Sequence, residues 1–289
     1  GIVRLTGSGL GCPTWPECVE GSYVPTSRQE EAWHKYVEFG NRLLTFVLAA
    51  LAIAAIVGAF AWWRRQRRAG AAARGPVLAL AALPIIGTVV QAVLGGVTVL
   101  TGLNPWAVSA HFLVSIAIIA GCVLLVVRSG EPGDRPVTRL VRPEVRILGW
   151  ALVWVTLVVV VLGVIVTGSG PHSGDADTEA RFGVDPRTVS WLHADAVLLF
   201  LGLTAGFLVA LRVTRAPGRT VRLTLALLGV ALIQGLIGYA QYFSGLPWVL
   251  VAIHMLGACL VWALAVFVAL SMRARGAVPI AASSPIETA

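Results

Sequence analysis

A chain of 289 residues that is 57% hydrophobic and only 12% charged, with a mean hydropathy of +0.83, excludes a soluble domain, where about a quarter of residues carry charge. The formal charge of +8 would suit a nucleic-acid partner, but Lys35 is the sole lysine and the arginines gather in a few connections between apolar runs. That placement encodes membrane topology and argues for lipid, not nucleic acid, as the partner.

Ahead of the first apolar run lies GIVRLTGSGLGCPTWPEC, in which Cys12 and Cys18 bracket a short loop. Seven runs then exceed the ~18 apolar residues that a bilayer requires. They are expected at roughly 33–63, 76–101, 106–127, 147–168, 188–211, 221–243 and 248–270. WWRRQRRAGAAARG follows the first, VRSGEPGDRPVTRLVRPEVR the third, LRVTRAPGRTVR the fifth and SMRARG the last. These arginine-rich connections are expected on the cytoplasmic side. The opposite connections are short and neutral (TGLNPW, FSGLPW) or mixed to acidic, as in PHSGDADTEARFGVDPRT. Cys12 and Cys18 then fall on the outer side, where an oxidising compartment permits a disulfide that would shape the loop. Cys122 and Cys259, inside apolar helices, read as small buried hydrophobes. The closing AASSPIETA is expected to be a disordered cytoplasmic tail.

The chain repeats itself. QAVLGGVTVLTGLNPWAVSAHFL from Gln91 is echoed by QGLIGYAQYFSGLPWVLVAIHML from Gln234, and without gaps Gly95 pairs with Gly238 and His111 with His254. TGSG occurs at residues 6–9 and again at 167–170. Such matching across separate elements points to a duplicated helical unit. In the second copy a full span leads into TGSG, whereas only GIVRL precedes the first. An additional helix is therefore expected ahead of this sequence. The expected fold is an all-α integral membrane protein of two tandem four-helix bundles in the same orientation, eight helices when intact and seven here. Residues 1–127 form the first repeat, 128–146 a basic linker, 147–271 the second repeat and 272–289 a tail.

Of the five histidines, His111, His193 and His254 each lie one to two turns inside a span, near the outer side. An ionisable side chain there faces protein or a cofactor. An interhelical hydrogen bond would explain one such residue, but explains repeat-related ones less well. Two imidazoles from two helices of a bundle can ligate one haem iron axially, and His193 with His254 suit that role. Zinc would want more ligands than each unit offers. The glycines of LGG at 94–96 and GLIG at 235–238 would let a flat macrocycle approach the backbone. In the first unit EFGNR sets Asn41 in the slot of His193, leaving His111 as the sole imidazole. Glu38 shares the Asn41 face, where a carboxylate moves protons or stabilises positive charge, and Arg42 can hold a propionate. The plainer alternative is a Glu38–Arg42 pair at a helix mouth. His34 lies too far out to replace Asn41 but can serve a propionate. His172 reads as a surface residue.

Taken together, IVRLTGSGLGCPTWPEC, EFGNR, the QAVLGGVTVLTGL run and the paired histidines resemble the heme A synthase family, membrane enzymes that convert haem o to haem a. The resemblance implies a haem b held by His193 and His254, and a haem o substrate site in the N-terminal unit with His111 and Glu38. It also implies a Cys12–Cys18 disulfide. The family's E-x-x-H-R reads E-F-G-N-R here, so ligation by Asn41 is not carried over. The expected activity is oxidation of the haem o C8 methyl to a formyl group by successive hydroxylation and loss of water. Haem b would pass electrons to the substrate site. The enzyme producing haem o and a separate electron donor are the expected partners. Asn41 supports a different class, a non-enzymatic haem carrier for oxidase assembly. A transmembrane electron-transfer cytochrome would want ligands on both sides, and a transporter with parallel repeats leaves the histidines unexplained.

Overall fold

The structure is a computed structural model that describes residues 1–27, 29–69, 75–131, 136–172, 174 and 181–276. Within them a short α1 (Ile2–Leu5) precedes α2 (His34–Arg68), α3 (Gly75–Leu100) and α4 (Pro105–Ser129). The second half holds α5 (Pro143–Ser169), α6 (Pro186–Val213), α7 (Gly218–Phe243) and α8 (Trp248–Ser271). Helices α2 to α8 are each long and apolar enough to cross a membrane, so the protein is an all-α, multi-pass membrane protein and the seven expected spans are borne out. Several helices outrun the apolar stretch that marks them. Helix α2 continues through its arginines to Arg68, because arginine is a good helix former and complements the C-terminal end of the dipole.

Helix starts follow local chemistry. Proline opens α4, α5 and α6 at a position whose N–H would go unbonded. The Asn104 side chain accepts the Trp106 N–H at 3.0 Å, and Asp185 accepts the Thr188 N–H at 2.8 Å. Asp185 is exposed, and its bonds from the Thr188 hydroxyl and N–H hold its carboxyl below the usual range.

The internal repeat is realised in the backbone. The α3–α4 turn places Gly102 and Leu103 at φ +61° and +58°, and the α7–α8 turn places Gly245 and Leu246 at +79° and +59°. In each turn the leucine N–H reaches back five residues, to the Thr98 carbonyl and to the Gln241 carbonyl, at 2.8 Å. A left-handed leucine costs roughly 1–2 kcal/mol, offset at Leu103 by this bond and by near-complete burial.

Helix α5 packs along α6 and α8, and α7 along α6 and α8, so the second half closes into a ring. In the first half α3 lies between α2 and α4, and α4 packs against α8 and α5. The main core draws Leu152, Phe200, Phe207, Leu227 and Ala265 from the ring and Ile116 from α4. Trp262 on α8 donates its indole N–H to the Ile116 carbonyl at 2.8 Å, joining the halves. Leu44, Phe46, Leu48 and Leu51 of α2 stay exposed, as suits a lipid-facing helix.

At the arginine-rich end, short strands form within the residues read as linker and tail. Residues Val137–Arg139 (β1) pair antiparallel with Arg273–Arg275 (β2), and Glu131 takes ion pairs from Arg128, Arg273 and Arg275. Order thus continues past residue 272, because buried Met272 packs against Gly149 and Glu131 neutralises the arginines. AASSPIETA lies outside the described residues.

Replacing Trp262 by phenylalanine keeps the packing but removes the bond to Ile116. It should lower stability by about 1 kcal/mol, read from thermal unfolding in detergent. An unchanged midpoint would deny that bond a role in joining the halves.

Candidate functional site

In the second half, His193 of α6 and His254 of α8 face each other with ring centres 6.5 Å apart. Each ring rests over a glycine of the preceding helix. A methyl built on Gly163 of α5 would sit 3.2 Å from His193 Cε1, and one on Gly238 of α7 would sit 3.4 Å from His254 Cε1. The Nδ1 atom of each histidine is buried without a hydrogen-bond partner among the described residues. A buried, unpaired ring nitrogen is costly unless a ligand takes part. Among the described residues no cluster of three or more histidine, cysteine or acidic side chains is suited to a metal ion. Two imidazoles across one iron, with metal–nitrogen bonds of about 2 Å, place their ring centres roughly 6 Å apart. His193 and His254 are thus the pair that would hold a haem iron between them.

The first half repeats one side of this arrangement. His111 of α4 lies over Gly95 of α3, whose added methyl would sit 3.6 Å from Cε1, and its Nδ1 is likewise buried and unpaired among the described residues. Gln91, one turn before Gly95, donates to the His111 carbonyl at 2.9 Å and to the Ser115 hydroxyl at 2.7 Å. That cross-helix bond fixes the backbone carrying His111. Its repeat mate Gln234 presses on Gly257, where any Cβ would fall 1.8 Å from the amide nitrogen. Asn41 is not brought into this group. It is exposed on α2, and among the described residues no hydrogen bond joins it to His111.

Glu38 and Arg42 do pair, with Arg42 Nη2 2.8 Å from Glu38 Oε1. Glu38 is 4% exposed, and its Oε2 accepts the Cys12 N–H at 2.6 Å. Arg42 donates to the carbonyls of Cys12, Thr14 and Glu17, each at 2.9 Å. The two side chains thus clamp the loop that the Cys12–Cys18 disulfide closes. The sequence left Arg42 open for a propionate; here its terminal nitrogens are spent on the loop. Trp15, from the middle of that loop, lays its indole on Gly96, where an added methyl would fall 2.4 Å from the ring. Lys35, almost fully buried, donates to the carbonyls of Thr26 and Gln29 at 2.8 and 3.2 Å.

The remaining histidines have local duties. His34 Nδ1 lies 2.8 Å from the Ser8 hydroxyl, and Trp33 stacks on its ring. His172 is not a free surface residue: its Nε2 meets the Leu246 carbonyl at 2.8 Å, tying its loop to the α7–α8 turn. Of the glycines expected to admit a macrocycle, Gly95, Gly96 and Gly238 are covered by His111, Trp15 and His254, whereas Gly235 faces open space. Gly163 escaped the sequence because it lies outside the stretches whose repetition the sequence displays. Its position six residues before Ser169, on the helix leading into TGSG, was the only available signal.

A family model described as cytochrome oxidase assembly protein matches residues 1–172, more than half the chain, and the chain belongs to this family. Curated relatives include the heme A synthase of Alkalihalophilus pseudofirmus, 31% identical over 133 residues, which cover 46% of this chain and 41% of that protein. The heme A synthase of Geobacillus thermodenitrificans is 28% identical over 141 residues, covering 47% and 39% respectively. That of Geobacillus kaustophilus is 29% identical over 132 residues, covering 44% and 37%. The matched stretch spans about two fifths of the length of these relatives. The resemblance carried by the motifs is borne out.

Glu38→Ala leaves Arg42 without its acid and the Cys12 N–H without an acceptor. Breaking a buried pair in this way should cost about 3 kcal/mol and loosen the loop. Reduction of the Cys12–Cys18 bond by a mild thiol, followed by alkylation and mass spectrometry, should speed up at least severalfold. An unchanged rate would show that the clamp does not hold the loop.

Proposed function

We propose that this member of the cytochrome oxidase assembly protein family is a heme A synthase, which oxidises the C8 methyl of haem o to a formyl group and supplies haem a to a terminal oxidase. The observation that carries the reading is the facing pair His193 and His254, each seated on a glycine with an unpaired buried nitrogen. The similarity to proteins named heme A synthase supports it from a different direction.

On this reading the chain works as two units, 1–127 and 147–271, joined by 128–146. His193 and His254 would hold haem b in the second unit, where it supplies reversible one-electron transfer when bound. The first unit takes haem o, with His111 as its iron ligand. Gln91 keeps the helix carrying His111 in register, and the clamped loop with Trp15 roofs the same end of the bundle. Glu38 would be the carboxylate of this unit, and with both oxygens held by Arg42 and the Cys12 N–H it would act on the substrate end through the loop it fixes. Two successive two-electron oxidations, each needing an external oxidant, would take the methyl to the alcohol and then to the geminal diol, which loses water to leave the aldehyde. The arginine-rich end lies in the cytoplasm of a bacterial cell, and the histidine end faces outward. An enzyme that makes haem o and a separate electron donor are the partners.

A second reading, a membrane haem carrier without catalysis, is favoured by one observation. Asn41 stands where the second unit has His193 and Arg42 is engaged by the loop, and with His34 tied to Ser8 the first unit offers His111 as its one unengaged imidazole.

Haems extracted from the full-length protein, expressed beside a haem o source, separate the two. The enzyme should yield haem a or a hydroxylated intermediate, lost in Glu38→Ala, and haem b that disappears in His193→Ala. Haem b with unmodified haem o alone, under a competent electron supply, would establish the carrier.

A further inference from the structure

Away from the histidines, the two halves meet around a cavity of about 230 Å³ lined by Arg4, Thr6, Gly7, Pro171, His172 and Gly174. It lies where the first TGSG copy meets the residues that follow the second, and Gly9 N–H bonds to the Gly174 carbonyl at 2.9 Å. Its walls are fixed. His172 is tied by its ring to Leu246, and the Leu103 side chain packs beneath Gly9 and Gly174. Arg4 enters from α1 and donates Nε to the His172 carbonyl at 2.8 Å. Its terminal nitrogens have no partner among the described residues, and no described carboxylate neutralises it. Burial holds its pKa down to about 10, with the Arg181 cation adding to the effect. Half-burying a guanidinium is costly unless an anion completes the site.

The cavity sits beyond the end of α5, level with the α3–α4 and α7–α8 turns, where the apolar spans stop. That is the depth of lipid headgroups. It is too small for a porphyrin and large enough for a phosphate. A guanidinium fixed at Nε presents its remaining N–H groups as a fork matched to two phosphate oxygens.

We propose that this junction is a phosphate-binding site, with Arg4 as the principal donor, that docks the headgroup of an anionic phospholipid or a free phosphate and thereby braces the two halves. The test uses the intact protein in detergent, stripped of lipid and titrated with phosphatidylglycerol, with inorganic phosphate or with uncharged diacylglycerol. Thermal stability and native mass spectrometry are the readouts. Phosphatidylglycerol should bind at one site per chain and raise the melting temperature, and Arg4→Gln should weaken it roughly tenfold, the loss of one charged hydrogen-bonded contact. Arg4→Lys should recover part of the loss. An equal response to inorganic phosphate assigns the site to the free anion, and a response to the lipid alone assigns it to the headgroup. In the parent protein, bound phosphatidylglycerol should also shield Arg4 from phenylglyoxal, which keeps the test valid if the variants fold poorly. Equal titrations of parent and Arg4→Gln, absence of shielding, or a loss of haem with phosphate binding intact would overturn the proposal.

Discussion

An imidazole can sit inside a bundle of apolar helices only where the facing helix leaves it room, and here glycine leaves that room three times. His111 lies on Gly95, His193 on Gly163 and His254 on Gly238. Each contact sets the side chain's position through backbone, which does not move as a side-chain wall would. The consequence is a ring held off the facing helix with Nδ1 buried and unbonded. Because Gly95 and Gly238 are repeat mates, as are His111 and His254, the device was present before the halves diverged. The halves differ at the counterpart position, His193 on α6 in one and Asn41 on α2 in the other.

The disulfide loop shows a second use of buried polarity. Glu38 and Arg42 do not face an open site; they turn toward the loop and bond its backbone. An arginine that satisfies several loop carbonyls substitutes for the secondary structure this segment lacks. The same helix therefore anchors the roof of the first half and supplies a buried carboxylate near the histidine end. Structure and chemistry share these residues, so substitutions at Glu38 act on both.

Much of this architecture was legible in the sequence because membrane helices must be continuous apolar runs. All seven spans stand within a few residues of their expected positions, and the duplicated turns carry the same left-handed backbone. The facing of His193 and His254 followed from the repeat. What escaped depends on contacts between segments distant in sequence. The exposure of Asn41 depends on how α2 packs along α3, which periodicity alone does not reveal. The tie from His172 to Leu246 joins residues 74 apart, and the β1–β2 pairing joins opposite ends of the second half. Gly163 was hidden because its helix lies outside the matched stretches of the repeat.

The central claim is that the second half binds one haem between His193 and His254, whereas the first half offers His111 alone. Electron paramagnetic resonance of the oxidised, haem-loaded full-length protein tests it directly. The account predicts a low-spin signal of two-imidazole ligation that vanishes in both His193→Ala and His254→Ala and persists in His111→Ala. A low-spin signal that survives His193→Ala, or that depends on His111, would contradict it.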